Sequence, residues 1–378
     1  MIPIEHIQFA ATTLTGALTL ILVFMMPIRE TMGQAYNRSR WMMVAGTALL
    51  PLQFLLQYTM HFRRMGVEPA VLFNLLFFIP SAWLISMAIL NLLRQNALRG
   101  PDWYGGLATY AVVVALLFGA NPTGGHGLLD VTPRLYHAEV ACAVLYTIMQ
   151  FYYTAQLWRE FRRVRLALEN YFDRERHGII RWMRNSTMLL SLSAVFAPMV
   201  IFWSGPLLFV YTLVILFGIF YTVISFYSYG MDRRHMQALQ EVERSMEEDE
   251  QKKKAEGDGR NDSQMSDDDK QRISAAVRIW LEKGGHLHSG ITLHTAADEI
   301  GIPRYQLSAW LKTTPQGLFN PWLTSLRIEE AKRQLKEHNW SNDTIAEHCG
   351  FSSRSYFQTT FKKLTGQTPA QYIEANKD

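Results

Sequence analysis

The chain has 378 residues, room for two domains, and a mean hydropathy near zero that hides two unlike halves. Residues 1–230 hold 16 Arg, 10 acidic residues and no Lys, whereas 231–378 hold 21 basic and 23 acidic residues, so the net charge of +4 is a sum over an oily segment and a charged one. That division excludes a uniformly soluble chain, and two cysteines, Cys142 and Cys349, one in each half, exclude a disulfide or thiolate-metal framework.

Crossing a hydrocarbon core takes about 20 apolar residues of helix. Seven stretches qualify, at roughly Ile7–Met26, Trp41–Met60, Pro69–Leu93, Trp103–Ala120, Ala138–Trp158, Trp182–Trp203 and Leu207–Tyr229. The fourth is short and bears glycine. Trp41, Trp103, Trp158, Trp182 and Trp203 fall at their ends, where an amphipathic ring suits the headgroup layer. No basic segment precedes the first stretch and no small-residue cleavage site follows it, so it reads as a retained span.

Arginine sets the orientation. Alternate loops carry Arg29, Arg38 and Arg40, then Arg94 and Arg99, then Arg159, Arg162, Arg163, Arg165, Arg174, Arg176 and Arg181. The opposite loops carry only Arg63, Arg64 and Arg134, the last of these loops being the tight Ser204-Gly205-Pro206 turn. The positive-inside rule then predicts an N-terminus outside and residue 230 onward in the cytoplasm, with the chain in the inner (cytoplasmic) membrane.

Met231–Glu250 has Met236, Leu239, Val242 and Met246 near helical spacing and predicts a helix continuing the seventh span. Lys252–Lys270, with Gly257, Gly259, Ser263 and the acidic Asp267–Asp269 run, has linker composition. The expected organisation is a seven-span domain over 1–230, a cytoplasmic helix and acidic linker over 231–270, and an all-α domain over 271–378.

From Gln271 onward short helices alternate with glycine turns. A helix over about Asp268–Lys283 ends at Gly284-Gly285. Another starts near Thr292 and stops at Gly301, and Pro303 opens the next, with Leu307, Trp310 and Leu311. After a long amphipathic stretch, Pro321–His338, the unit repeats: a cap at Ser341 or Asn342, a turn at Gly350, and a helix over Ser353–Leu364. Each half is a helix-turn-helix. Trp310, Trp322, Phe351, Phe357 and Phe361 are expected in the core by periodicity.

The offsets within this stretch are distinctive: Arg327-Ile328-x-x-Ala331, then Ile345-Ala346-x-x-Cys349-Gly350-Phe351-Ser352-x-x-x-Tyr356-Phe357, then Phe361-Lys362-Lys363-x-x-Gly366-x-x-Pro369-x-x-Tyr372. Over about 100 residues it resembles the AraC/XylS family, apart from Ile373, where many members carry Arg. The resemblance implies a transcription regulator that binds double-stranded DNA, its two units entering successive major grooves. Matched at the Gly301 and Gly350 turns, the family's base-facing positions fall on Arg304, Tyr305, Gln306 and Ser308 in the first recognition helix. In the second they fall on Arg354, Ser355, Gln358 and Thr359. Arginine suits guanine and glutamine suits adenine. Lys312, Lys362 and Lys363 are expected on phosphates. Gln271–Asp378 has 13 basic and 10 acidic residues, a weak electrostatic footprint, so a homodimer is expected to raise affinity.

Polar residues within spans are candidates for signal recognition. Glu139 and His137 are the candidate ligand contacts, with Glu139 near the outer end of the fifth span; Gln53, Gln57, Asn74, Asn91 and Gln150 read as ties between helices. Gly124-Gly125-His126-Gly127 reads as a flexible turn. His286, His288 and His294 lack a completing Cys or carboxylate, so no metal and no cofactor is expected, and with no catalytic motif the chain is not expected to be an enzyme. The function expected is a membrane-anchored regulator responding to a small-molecule or protein signal in the lipid bilayer. The alternatives are a transporter or membrane enzyme fused to its own regulator, or an anchor released by proteolysis.

Overall fold

A computed structural model describes residues 4–25, 33–62, 66–120, 131–171, 178–200, 206–231, 265–338 and 340–376. The expected helix over Met231–Glu250 therefore lies almost wholly outside the described residues. So do the linker up to residue 264, Gly124–Gly127, Trp203, most of the Ser204-Gly205-Pro206 turn, and Arg29, Arg63, Arg64, Arg174 and Arg176. Regular structure among the described residues is helical throughout, without a strand. The chain divides into two compact units, Met1–Arg163 with Ile179–Gln240, and Val164–Gly178 with Glu241–Asp378.

Helices occupy all seven apolar stretches: α1 (Ile4–Leu20, continued by a π turn at Ile21–Met25), α2 (Gly33–Met60), α3 (Val67–Leu93), α4 (Gly100–Gly119), α5 (Pro133–Tyr171), α6 (Gly178–Val200) and α7 (Pro206–Met231). Among the described residues five segments are long and apolar enough to cross a membrane: His6–Met25, Gly33–Met60, Val67–Leu93, Gly100–Gly119 and Phe209–Met231. α5 and α6 are diluted by polar residues such as Thr154, Gln156, Asn185 and Thr187.

Polar side chains tie these helices together. Gln53 and Gln57 of α2 both donate through Nε2 to the Asn74 amide oxygen of α3, at 2.6 and 2.7 Å, and Gln8 of α1 donates to Gln57 at 3.2 Å. Asn91 bonds to the Ala35 carbonyl and the Ser39 hydroxyl of α2, both at 2.8 Å, and Gln150 of α5 to Ser86 of α3 at 3.2 Å. Each satisfies polar groups that hydrocarbon would leave unpaired. Gly106 is what lets the glycine-bearing α4 pack: a Cβ there would lie 2.1 Å from the Trp83 indole nitrogen.

Several expected loop and interface residues sit elsewhere. α2 begins eight residues before Trp41, which puts Arg38 and Arg40 in the helix. Arg40 is buried and donates to the Leu22 and Val23 carbonyls at 2.9 and 2.5 Å, closing the frayed end of the first helix. Arg94 is buried with Asp102 and Glu160, its Nη1 2.5 Å from Asp102 and its Nε 2.8 Å from Glu160. Trp182 is buried against Phe226 and Tyr229 instead of standing at an interface.

In the second unit, α8 (Asp267–Glu282) starts within the expected linker: Asp267, Asp268 and Asp269 form its first turn, where carboxylates complement the positive helix end. There follow a 3₁₀ turn at Gly285–Leu287, α9 (Leu293–Ile300), α10 (Arg304–Leu311), α11 (Phe319–Glu337), α12 (Asn342–His348), α13 (Arg354–Thr365) and α14 (Pro369–Ala375). Thr292, Ser341, Ser353 and Thr368 cap α9, α12, α13 and α14 through their hydroxyls.

Candidate nucleic-acid interface

α13 is set by its aromatic stripe. Phe357 and Phe361 are fully buried in a cluster with Ile328, Ala331, Leu335, Ile345, Ala346, Cys349 and Phe351, and Tyr356 and Tyr372 pack at its edge. Burying 357, 360 and 361 turns the opposite side of the helix to solvent. Arg354, Ser355, Thr359, Lys362 and Lys363 are exposed there and Gln358 is half-buried beside them, so the residues expected to read bases and phosphates share one surface. Phe351 sits in the core as expected, at the end of the glycine turn.

The Arg354 guanidinium is already engaged: Nη1 lies 3.1 Å from Asp343 Oδ2 in the first turn of α12. Both side chains are more than half exposed, so water screens the pair, and its net worth is at most about 1 kcal/mol.

The first unit is built around indoles. Trp280 stacks on Trp322 with centroids 6.2 Å apart and Trp310 meets Trp322 edge-on at 5.7 Å. Trp322 is buried as expected, but Trp310 is only half-buried, because its Nε1 reaches Ser274 of α8 at 2.9 Å. On α10, Leu307 and Leu311 are buried and Lys312 is exposed. Tyr305, Gln306 and Ser308 are half-buried, and Gln306 accepts a hydrogen bond from Arg272 of α8 at 3.2 Å. Arg304 corrects the expectation: it is 6% exposed, on the face that carries Leu307 three residues on and Leu311 seven on. At 100° per residue those positions form one inward stripe, so Arg304 packs into the domain instead of facing out.

The two helix-turn-helix units are locked to each other by α11. Arg327, 2% exposed, donates from Nε to the His286 carbonyl at 2.8 Å and from Nη2 to the His288 carbonyl at 2.6 Å. Gly350 completes the seam: with φ of 75° it is left-handed, and a Cβ there would lie 2.3 Å from the Leu287 carbonyl oxygen. The resemblance pointed to both positions through its motif; that they serve one joint was not expected.

Burial pushes the Cys349 thiol up to about 12, and the neighbouring Glu330 carboxylate adds to that. Glu330 is held below the usual carboxylate range, first by its hydrogen bonds from Arg333. Burial lowers His286 from its ordinary value and keeps the ring neutral. His288 and His294 pair separately, with Glu299 at 3.7 Å and Asp298 at 3.6 Å, and no metal-binding cluster forms among the described residues.

In the apolar unit, Glu139 and His137 part company. Glu139 is fully buried on the inner stripe of α5, with Leu135 and Cys142, whereas His137 is exposed against Tyr136. Glu139 is thus a core residue, and the two do not form one site.

Comparison with known proteins places this geometry. Residues 296–375 match the family model described as "Helix-turn-helix domain". The chain is 32% identical over 111 residues to the HTH-type transcriptional activator RhaS of Pectobacterium carotovorum, a match covering 28% of this chain and 37% of that protein. It is 32% identical over 95 residues to the probable transcription factor PqrA of Proteus vulgaris, covering 25% of this chain and 78% of that one. Among solved structures, the DNA-binding domain of AdpA in complex with a target DNA is similar at 27% identity, covering 27% of this chain and 90% of that one at a TM-score of 0.25. The chain thus spans little more than a third of the length of RhaS but most of PqrA. Through its C-terminal unit, with its paired glycine turns and two recognition-type helices, the chain belongs to the AraC/XylS family of helix-turn-helix proteins.

Proposed function

We propose that the chain is a one-component transcription regulator, held in the inner membrane by seven spans, that binds a specific double-stranded DNA site through α10 and α13 under control of a signal received in its apolar half. The observation that carries the DNA-binding part is the outward face of α13, where Arg354, Ser355, Gln358 and Thr359 stand beside Lys362 and Lys363. Two side chains able to pair with guanine and adenine edges, flanked by phosphate-seeking cations, make a reading surface. Tyr305, Gln306 and Ser308 give α10 a second, and Lys312 its phosphate contact. Footprinting with Arg354→Ala and Gln358→Ala is the test. Loss of the protected site with residual nonspecific binding supports the assignment, and an unchanged footprint sinks it.

The membrane part rests on the five apolar segments and on what they show to solvent. Phe24, Tyr104 and Phe217 are each more than 60% exposed. Such bulky apolar side chains suit lipid, not water. In this reading the N-terminus is outside, the C-terminal unit is cytoplasmic, and two chains pair to raise affinity for DNA. The Arg94–Asp102–Glu160 cluster, with Arg163 3.4 Å from Glu160, matches two carboxylates with two guanidiniums, which favours a clamp over a transport path. Accessibility of introduced cysteines to an impermeant maleimide tests the topology: residue 132 must label from outside and residue 98 only after permeabilisation.

A further inference from the structure

α8 and α10 are joined by two side-chain hydrogen bonds. Ile273, Val277 and Trp280 form the buried stripe of α8, and the exposed Arg272 and Ser274 flank it. Arg272 donates from Nη2 to Gln306 Oε1 at 3.2 Å, and Trp310, one helical turn further along α10, donates from Nε1 to Ser274 at 2.9 Å. We infer that Arg272 is a specificity-determining residue of the DNA site: it fixes the Gln306 amide with its oxygen taken and its nitrogen left to meet a base, so that α10 selects guanine at the position Gln306 reads. The inference rests on the reading of α10 as a recognition helix and adds α8 to the residues that set its choice.

The choice follows from which atoms can donate. A guanidinium has five N–H donors and no acceptor, so the end of the Gln306 amide that meets Arg272 must be the oxygen. Asp269, one turn back on α8, lies 3.5 Å from the same Nη2 and helps keep the guanidinium there. One proton of Gln306 Nε2 goes to the Tyr305 hydroxyl at 3.3 Å, which leaves the other for a base. An unconstrained glutamine reads adenine with both ends, its oxygen to the N6 amino group and its nitrogen to N7. Here a cation sits beside that oxygen. A base amino group is itself partly positive, and seating it on the oxygen brings it against the guanidinium. Guanine shows the opposite edge: O6 and N7 are both acceptors, drawn to an N–H with a positive charge behind it.

The test selects bound duplexes from a random-sequence library with the intact chain in phosphatidylcholine nanodiscs, and repeats the selection with variants. Gln306→Ala marks the position that Gln306 reads, as the one whose base preference it flattens. There the unaltered chain should take guanine over adenine about fivefold, the effect of one hydrogen bond. Arg272→Lys, still a cationic donor, should keep that preference. Arg272→Met frees the amide oxygen and should level guanine with adenine. Arg272→Glu should turn the amide round, since a carboxylate only accepts, and move the choice to adenine. The side chain of Arg272 is 62% exposed, so these variants should fold as the unaltered chain does. Adenine chosen by the unaltered chain, or guanine retained by both Arg272→Met and Arg272→Glu, would overturn the inference. The reading of the recognition helices fails separately. When Gln306→Ala flattens no position but Arg354→Ala does, the inference falls alone; when neither changes the selected sequence, both fall.

Discussion

Arg327 holds His286 by its backbone: Nε donates to the His286 carbonyl oxygen at 2.8 Å, and the same guanidinium reaches the His288 carbonyl at 2.6 Å. One planar fork thus closes two carbonyls that no helix satisfies. Arg327→Met should cost the C-terminal unit about 2–4 kcal/mol, because two buried acceptors lose their donors. Arg327→Lys should recover only part, as an ammonium cannot span the same fork. Urea unfolding of residues 265–378, which carry their own core, measures both; coincident midpoints would show that the fork is dispensable.

Two left-handed glycines separate backbone strain from steric docking. Gly366 and Gly350 share nearly the same φ, 78° and 75°, but nothing lies within 4 Å of a Cβ at Gly366, while one at Gly350 would collide with Leu287. Gly366→Ala should cost about 1–2 kcal/mol for the left-handed conformation alone. Gly350→Ala should exceed it by at least about 1 kcal/mol, as overpacking is added to the same strain. Equal losses in thermal unfolding would mean that the Leu287 contact yields freely.

If Arg354 reads a base as proposed, Asp343 competes with DNA for its guanidinium. Asp343→Asn removes the carboxylate 3.1 Å from the guanidinium and one negative charge from the reading face. Because the pair is exposed, stability should change by less than about 1 kcal/mol. Affinity for target DNA should rise, with Arg354→Ala abolishing the gain. Titrations across salt concentration check this, and should show that Lys362→Ala flattens the salt slope by about one unit without altering site preference.

Acid should loosen the C-terminal unit in two steps. Both shifted groups have folded-state values below their unfolded ones, so each contributes stability at higher pH that is lost as pH falls. His286, neutral because it is buried, begins to withdraw its contribution below about pH 6.5. Glu330, held low by Arg333, withdraws its own below the ordinary Glu range, about 4.3. Urea midpoints measured from pH 8 to pH 3 should fall in both windows. Glu330→Gln should erase only the lower step, and an unaltered lower step would assign it elsewhere.

Within the apolar unit, Arg94 is predicted to be indispensable to packing. It is 3% exposed between two carboxylates, and removing one member leaves buried charge uncompensated, at a cost of about 3–5 kcal/mol. Arg94→Ala should lower the melting temperature of the detergent-solubilised protein. Arg94→Ala with Asp102→Asn and Glu160→Gln should restore much of it; no recovery would mean that the fork's geometry, not its charge, is required.

The C-terminal elements were legible because glycine turns, hydroxyl caps and apolar spacing act over a few residues. The boundaries of α9 and α13 follow from Thr292, Gly301, Ser353 and Gly366 alone. Arg304 was misplaced because its position was counted from the Gly301 turn, when the phase of Leu307 and Leu311 already put it on the inner stripe. The Asp343–Arg354 pair spans a turn, and the Arg94–Glu160 pair joins residues 66 apart, distances at which no local period carries information. Arg40 and Arg94 read as loop charges because, by composition alone, an apolar stretch stops at the nearest arginine. Both helix carbonyls and facing carboxylates are partners that only the assembled bundle supplies.

The seam between Gly350 and Leu287 has a consequence for the grammar of any target promoter. With no slack between the two halves of the domain, the words read by α10 and α13 admit no variable gap. Inserting one base pair between them turns the second word by about 34–36° around the duplex axis and carries it off the face that the protein presents. Tolerance of such an insertion belongs to proteins whose reading heads hang on flexible strings, and this chain is not built as one of them.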